Sequence, residues 1–407
     1  MELRPAWAKV QAHGQMQNQP NDVEKIYAHA GSFLQAVQPE VPAHLFRPEV
    51  LRKTARQFLK VFEKNMRGQV LYAVKANPAP EVLQGLWAAG VRAFDVASVA
   101  EIIAVRQVCP QAMLAFMHPV KSVHAIAEAY HNYGVRIFAL DDAQELAKIG
   151  EATGGAKDLT LVVRLAVAEG SAKLELSSKF GIDAEGAAAL LAECGVSAPK
   201  VGLSFHVGSQ CDNVHDFAAA IATAAQVVER AGVELDILDI GGGFAAAYPD
   251  MPAPALEDYA AVVKQAVSHY PHLKAAKLWA EPGRAMVVTS GSLLTRVELR
   301  KGQFLYLNDG TYGSLFDAGK ALGWRYPVRV WRGGKLLTGA AGKFSFYGPT
   351  CDSLDAMAGP FALPENVQAG DWLEIGQMGA YGQPMRTNFN GFGEVFNACV
   401  ADAAFIG

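Results

Sequence analysis

The sequence has no long uncharged apolar run, no strong excess of one charge and no paired-cysteine motif. Nowhere in its 407 residues does a stretch approach the roughly 18 apolar residues that a membrane span requires. Lys and Arg number 36 against 40 Asp and Glu, a net charge of −4. With no basic run either, nucleic-acid binding has no electrostatic support. The five cysteines (Cys109, Cys194, Cys211, Cys351, Cys399) are odd in number and widely spaced. That pattern fits reduced thiols and excludes a disulfide framework or a zinc site. The opening Met1-Glu2-Leu3-Arg4-Pro5 lacks the basic-then-apolar build of a signal peptide. At 51% hydrophobic residues the chain is too apolar for intrinsic disorder. The expectation is a cytoplasmic globular protein without a metal, of enzyme size, with two or three domains or one large barrel plus a satellite.

What is present is a rhythm. Apolar, β-branched runs recur at Val70–Lys75, Val91–Ala97, Met113–Met117, Val135–Leu140, Leu159–Val167, Val201–Val207, Leu235–Ile240 and Lys277–Ala280. Helical patterns fill the gaps, among them Ala79–Ala89, Val99–Val108, Val123–Asn132, Ala143–Ala152 and Val214–Ala231. Continuous apolar strands alternating with such helices predict a parallel sheet covered by helices. Eight units over residues 47–287 match an α/β architecture of the (β/α)8 barrel type, with an open doubly wound sheet as the competitor.

On either side the pattern differs. Apolar positions around Val23–Leu34 fall at helical spacing, Val41–Phe46 reads as a short strand and Pro48–Glu63 as an amphipathic helix. After residue 287, strand-like runs at Leu293–Leu299, Phe304–Leu307, Tyr326–Trp331, Phe344–Phe346, Trp372–Ile375 and Val395–Val400 have few helices between them. Turn signals at Arg332-Gly333-Gly334 and Ala369-Gly370-Asp371 predict hairpins. Residues 288–407 are therefore read as a C-terminal, mostly β domain, to which the segment 1–46 contributes.

A (β/α)8 barrel carries its chemistry at the C-terminal ends of its strands. Those ends here hold Lys75, Asp95, His118, Asp141, Arg164, His206 to Ser209, Gly241-Gly242-Gly243 and Glu281-Pro282-Gly283-Arg284. A lysine partly buried at a barrel mouth is expected to have a depressed pKa and to act as a nucleophilic amine suited to a Schiff base. A rim lysine with its amine in water would give the same sequence. The triple glycine lets backbone N–H groups approach an anion, most often a phosphate, although glycines also make tight turns. Arg284 and Ser209 are competent to hold the same phosphate, and Glu281 is an isolated carboxylate. A Schiff-base lysine, a phosphate cradle and an acid for a pyridinium nitrogen are what pyridoxal 5'-phosphate requires. In the β domain, Cys351-Asp352 puts a thiol beside a carboxylate on a Gly/Pro-tightened loop, where a merely packed cysteine is the common case.

Together these motifs carry a resemblance. Tyr72-Ala73-Val74-Lys75-Ala76-Asn77, Phe94-Asp95-Val96-Ala97-Ser98 with Glu101, and Ser204 to Ser209 stand in order along the barrel. Asp239 to Phe244, Ala280 to Arg284, Gly348-Pro349-Thr350-Cys351-Asp352 and Gly379-Ala380-Tyr381 follow. From about residue 40 to the C-terminus the chain resembles the fold-type III, alanine-racemase-like decarboxylases that use pyridoxal phosphate, in their ornithine/lysine branch. The resemblance implies that Lys75 holds the cofactor covalently and that Glu281 pairs with its ring nitrogen. His206 would stack on the ring, with Asp95 and Arg164 nearby. Ser209, the glycines up to Gly243, Gly283, Arg284 and Tyr381 would hold the phosphate. Cys351 and Asp352 would enter from the second subunit of a homodimer with shared sites, Cys351 as proton donor and Asp352 as ligand of the distal substrate amine. Tyr312 and Phe389 would line the pocket.

The motif Cys351-Asp352-Ser353 resembles the ornithine/lysine branch more than the diaminopimelate branch, which has Cys-Glu-Ser. One departure stands out: Ala318 to Pro327 contains no Asp or Glu, where eukaryotic-type ornithine decarboxylases place a second carboxylate for the substrate amine. Asp317 is one candidate for that role; otherwise recognition rests on Asp352 and water. The expected reaction is decarboxylation of L-ornithine to putrescine, with L-lysine as a further substrate. A diaminopimelate or arginine decarboxylase on the same scaffold is the alternative. Racemisation is disfavoured by Cys351-Asp352, because the second base of racemases is usually a tyrosine. A non-catalytic relative is disfavoured by the presence of every contact for the cofactor.

Overall fold

The computed structural model describes residues 21–168, 170–174 and 179–406. The first twenty residues of the segment 1–46 therefore lie outside the described residues. Eight parallel strands close into a barrel: Gln69–Ala73, Ala93–Val96, Met113–Phe116, Ile137–Leu140, Thr160–Arg164, Lys200–Ser204, Ile237–Asp239 and Lys277–Ala280. The last pairs with the first through Trp279 beside Gln69 and Ala280 beside Val70. All eight apolar runs form strands, and helices occupy the gaps, two of them (Val99–Val108 and Ala143–Ala152) with the expected ends.

Side chains alternate across each strand. Leu71, Ala93, Ala115, Ala139, Val162, Ile237 and Trp279 form a cluster of their own, while Val70, Tyr72, Phe94, Leu114, Phe116, Phe138 and Leu161 join the larger core with the helices. The first set fills the barrel interior and the second faces its jacket, as period-two alternation in a closed barrel requires. Two residues beyond Ala93, Ile237 and Trp279, on the same inward phase, stand Asp95, Asp239 and Glu281. Strand periodicity alone thus delivers three buried carboxylates to one mouth of the barrel.

The second unit is a ten-stranded sheet. Asn21–Tyr27, Phe396–Val400, Ala43–Phe46, Gly291–Lys301, Phe304–Leu307, Ala341–Tyr347 and Ala356–Pro364 lie side by side in that order. Trp372–Ile375 bridges Gly291–Lys301 and Val328–Arg332. Gly333-Gly334 closes the expected hairpin, with Trp331 opposite Leu336. Gly370 does not: its N–H bonds to the Val297 carbonyl at 2.8 Å, and the strands on either side of it pair elsewhere. The helical spacing around Val23–Leu34 is also overridden. Asn21–Tyr27 is a strand on Phe396–Val400, and the helix begins at Ala30, capped by His29. Pairing with a distant strand outweighs local spacing here.

Arg47, between Ala43–Phe46 and the helix Pro48–Phe58, is 1% exposed and donates to Glu374 (0% exposed) at 2.8 Å. It also bonds Asp402 at 2.8 Å and Ser292 at 2.9 Å. Among the described residues no helix is long and apolar enough to cross a membrane.

Candidate active site

Lys75 follows the first barrel strand in a single turn, Val74–Ala76. Tyr381 N–H donates to the Ala76 carbonyl at 2.8 Å, and Asn77 Nδ2 donates to the Gly379 carbonyl at 2.9 Å. This stitching brings Tyr381, at φ +61°, from the β domain to the barrel mouth. A bulky non-glycine residue in that backbone region is held by its surroundings.

The Lys75 amine lies 3.2 Å from Asp95 Oδ2; the lysine side chain is 44% exposed and the aspartate 3%. The loop after Asp95 is fixed from both sides, because Ser98 Oγ caps the next helix through the Glu101 N–H and Glu101 accepts from Ala97 N–H at 2.8 Å. The Asp95 carboxylate is the largest influence on Lys75 and holds its pKa above the ordinary lysine value, outweighing burial. The expected depression is therefore corrected: partial burial is the weaker effect when a carboxylate sits at contact distance.

Glu281 follows the eighth strand, 3% exposed, and its Oε1 is buried without a hydrogen-bond partner. Burial, then Asp239 and Asp95, push its pKa well above the usual range. His206 follows the sixth strand, and its Nδ1 accepts from Gly208 N–H at 3.0 Å. Burial, with Arg164 and Lys75 adding to it, holds its pKa far below the ordinary value and keeps the ring neutral. Arg164 thus acts on the site through its charge.

Gly241 and Gly243 have φ of +66° and +100°. A Cβ on Gly241 would run into the Phe205 carbonyl, and one on Gly243 into that of Gly208. At Gly242 it would meet the Glu281 carbonyl at 2.8 Å and His206 Nε2 at 3.0 Å. The loop is anchored by Phe244, whose ring lies 5.3 Å from Phe62 and 5.4 Å from both Phe217 and Tyr259.

One pocket is lined by Lys75, His206, Ser209, Gly242, Gly243, Glu281, Gly283, Arg284 and Tyr381, with Phe244. Asp95 joins it through Lys75, and Gly241 through its carbonyl, which accepts from Glu281 N–H at 2.8 Å. Arg284 stacks on Tyr381 and Trp324 and bonds Tyr248, with its Nε buried and unpartnered. Tyr248 and Trp324 carry no sequence signal, because each sits in irregular chain with no motif around it.

Asp317 is also here. It lies 3.0 Å from Arg284 NH1, an engagement that favours the alternative in which Asp352 receives the distal amine of a substrate. The turn Phe316–Ala318 buries its carboxylate against the guanidinium.

Cys351, Asp352, Tyr312 and Phe389 form a second cluster. Tyr312 donates to Asp352 Oδ2 at 2.5 Å, and its ring lies 4.9 Å from Phe389. Cys351 is exposed and donates through its N–H and Sγ to Asn390 Oδ1 at 3.3 and 3.4 Å. The Leu354 N–H and then the Tyr312 hydroxyl hold the Asp352 pKa below the usual carboxylate range. None of these four lines the Lys75 pocket.

The first pocket fits pyridoxal phosphate on its own evidence. It offers an amine, a buried carboxylate oxygen lacking a donor, a glycine cradle that admits no Cβ, and a buried guanidinium N–H lacking an acceptor. Residues 49–288 match the family model for the pyridoxal-dependent decarboxylases, pyridoxal binding domain. The chain is 35% identical over 342 residues to a lysine/ornithine decarboxylase of Selenomonas ruminantium, covering 80% of this chain and 82% of that protein. Its fold superposes on a Vibrio vulnificus lysine/ornithine decarboxylase complexed with cadaverine (TM-score 0.77, 29% identity, 90% and 94% of the two chains). It superposes likewise on a Paramecium bursaria Chlorella virus arginine decarboxylase bound to agmatine (TM-score 0.79, 27% identity, 90% and 98%). With the match spanning the pocket and the pocket suited to the cofactor, the chain belongs to the pyridoxal-dependent decarboxylases, lyases that act on amino acids with pyridoxal phosphate as cofactor.

Proposed function

We propose that this decarboxylase takes L-ornithine, and L-lysine as a second substrate, releasing the diamine, in a homodimer whose sites each combine the Lys75 pocket of one subunit with Cys351 and Asp352 of the other. The observation that carries the substrate is the state of Asp352. Its Oδ2 accepts from Tyr312 and its Oδ1 from Leu354 N–H at 2.9 Å, so it is held ionised with each oxygen already engaged. A compact ammonium needs one such point charge, whereas a planar guanidinium is matched by a free bidentate carboxylate edge. With Asp317 engaged by Arg284, and no Asp or Glu from Ala318 to Pro327, no second carboxylate from that loop supplies the edge. That favours the diamine products over agmatine. One methylene is worth only about 1–3 kcal/mol of discrimination, so both amino acids should turn over.

When bound, pyridoxal phosphate supplies an aldehyde for the amino group and a ring that accepts the electron pair left by carbon dioxide. Lys75 would hold that aldehyde between turnovers. A cation placed against Glu281 Oε1 would reverse the effect of burial and stabilise the carboxylate, keeping the ring nitrogen protonated. Neutral His206 would cover a ring face without opposing that charge. Ser209, Gly243, Gly283, Arg284 and Tyr381 would bind phosphate. Cys351 would return a proton from Sγ to the carbon that has lost its carboxylate.

The test is carbon dioxide release from ornithine, lysine, arginine and meso-diaminopimelate by the purified holoenzyme. Ornithine and lysine should give the highest kcat/KM. Arginine or diaminopimelate exceeding both would overturn the assignment.

A further inference from the structure

We infer that Asp317 is a positioning residue for cofactor capture, acting through Arg284 on the phosphate group. Arg284 opens a turn of only four residues, Arg284–Val287, so regular structure does little to fix its side chain. Four contacts do so instead. Asp317 Oδ2 and the Tyr248 hydroxyl accept from NH1 at 3.0 and 3.2 Å, while Trp324 and Tyr381 lie 4.4 and 4.6 Å from the guanidinium carbon. Both charged partners are nearly sealed, the arginine side chain 6% and the aspartate 8% exposed. With NH1 committed, Nε remains buried and without an acceptor. Removing Asp317 would release NH1 and with it the orientation of the fork, which matters because a guanidinium reads an anion by geometry as well as charge.

Asp317 also ties this arginine to the β domain. Its own backbone carbonyl accepts from Trp324 N–H at 2.9 Å, so the loop carrying the anchor also carries one of the rings against the guanidinium. The barrel mouth and the loop from Leu315 to Trp324 are in this way joined through Arg284, with the Tyr248 and Trp324 rings 5.4 Å apart beside it.

Charge and geometry make opposite forecasts, which gives the idea its test. Asp317 neutralises part of the positive field at the phosphate site, so the charge term alone predicts tighter binding without it. If orientation governs, Asp317→Ala weakens binding while Asp317→Asn, which keeps an oxygen acceptor for NH1, does not. The inference rests on reading Arg284 as a phosphate ligand, and the variant Arg284→Ala checks that reading separately.

The experiment strips the cofactor from the purified protein and titrates it back, following the visible absorbance of the lysine-linked form, once with pyridoxal phosphate and once with pyridoxal. Asp317→Ala should weaken pyridoxal phosphate about tenfold, the scale on which ligand-orienting partners act, and leave pyridoxal unchanged. Asp317→Asn should hold both within about threefold of the wild type, with an unaltered KM for the amino acid. Should Arg284→Ala weaken pyridoxal phosphate but not pyridoxal while Asp317→Ala changes neither, the positioning role fails and the phosphate reading stands. Should Arg284→Ala itself leave the phosphate form untouched, the phosphate reading fails first. A raised amino-acid KM in Asp317→Asn with normal cofactor affinity would overturn the inference in favour of a substrate contact, and this last outcome can be read even if the alanine variant does not fold.

Discussion

Oδ2 of Asp95 is 3.2 Å from the amine of Lys75, and this carboxylate more than any other group raises the lysine's pKa. A raised pKa means that the ammonium form is favoured, and the free amine appears only as pH climbs towards the elevated value. Asp95→Asn removes the main cause, so the pH profile for capture of pyridoxal phosphate by the apoprotein should move to lower pH. A profile that stays in place would show that the carboxylate does not control the amine.

Glu281→Gln should load with cofactor yet decarboxylate at least tenfold more slowly, since an amide cannot balance a protonated ring nitrogen. Single-turnover kinetics on the reconstituted variant provide the check, and an unchanged rate would remove Glu281 from the chemistry.

Asp352→Ala should raise KM for ornithine and lysine far more than it alters retention of the cofactor. The pairing with Tyr312 at 2.5 Å makes Tyr312→Phe a milder version of the same defect. Equal loss of cofactor in Asp352→Ala would mean that the loop is structural.

Lys75→Ala and Cys351→Ala subunits should each be nearly inactive and should recover when mixed. In a two-fold dimer the contact is reciprocal, so a heterodimer carries one site with both lesions and one with neither. Random exchange of equal amounts then restores about a quarter of wild-type activity. Demonstrated exchange with no recovery would put the whole site within one chain.

Arg47→Ala should destabilise the fold by about 1.5–3 kcal/mol, the usual contribution of a hydrogen bond to a charged group, because Glu374 loses one of its donors. The reason is that Glu374, 0% exposed, accepts from Arg47 at 2.8 Å and from Ser292 at 2.9 Å. Urea midpoints at constant m-value would register the change. A loss below about 1 kcal/mol, the scale of exposed pairs, would show that Arg329, also bonded to Glu374, replaces it.

The barrel is legible because its strands are mostly apolar runs at regular spacing with helical patterns between them, and several carry a chemistry-bearing residue on the inward phase at or just beyond the strand end. Asp95, Asp239 and Glu281 follow Ala93, Ile237 and Trp279 by two residues, a regularity that needs no knowledge of the fold. The Asp317 partnership was not legible, since it joins positions 33 apart across two strands of the β domain, with no motif around Asp317. Nor was the strand Ala356–Pro364, whose interior Gly359-Pro360 reads as a turn. The direction of the lysine's pKa is hidden from the sequence for a related reason. Burial can be guessed from a strand end, but a carboxylate 20 residues away at contact distance is visible only once two neighbouring strands are aligned.

The order of strands in the second sheet sets a timetable for synthesis. Phe396–Val400 lies between Asn21–Tyr27 and Ala43–Phe46 and hydrogen-bonds to both. During translation the two early strands wait while the whole barrel is made, and their shared neighbour emerges about 120 residues after the final barrel strand ends at Ala280. At ~5–20 residues per second that delay is ~6–24 seconds, during which two strand edges stand unpaired and open to other nascent chains. A chain ended just short of Phe396 would thus have every barrel strand in place and lack the strand on which Asn21–Tyr27 pairs.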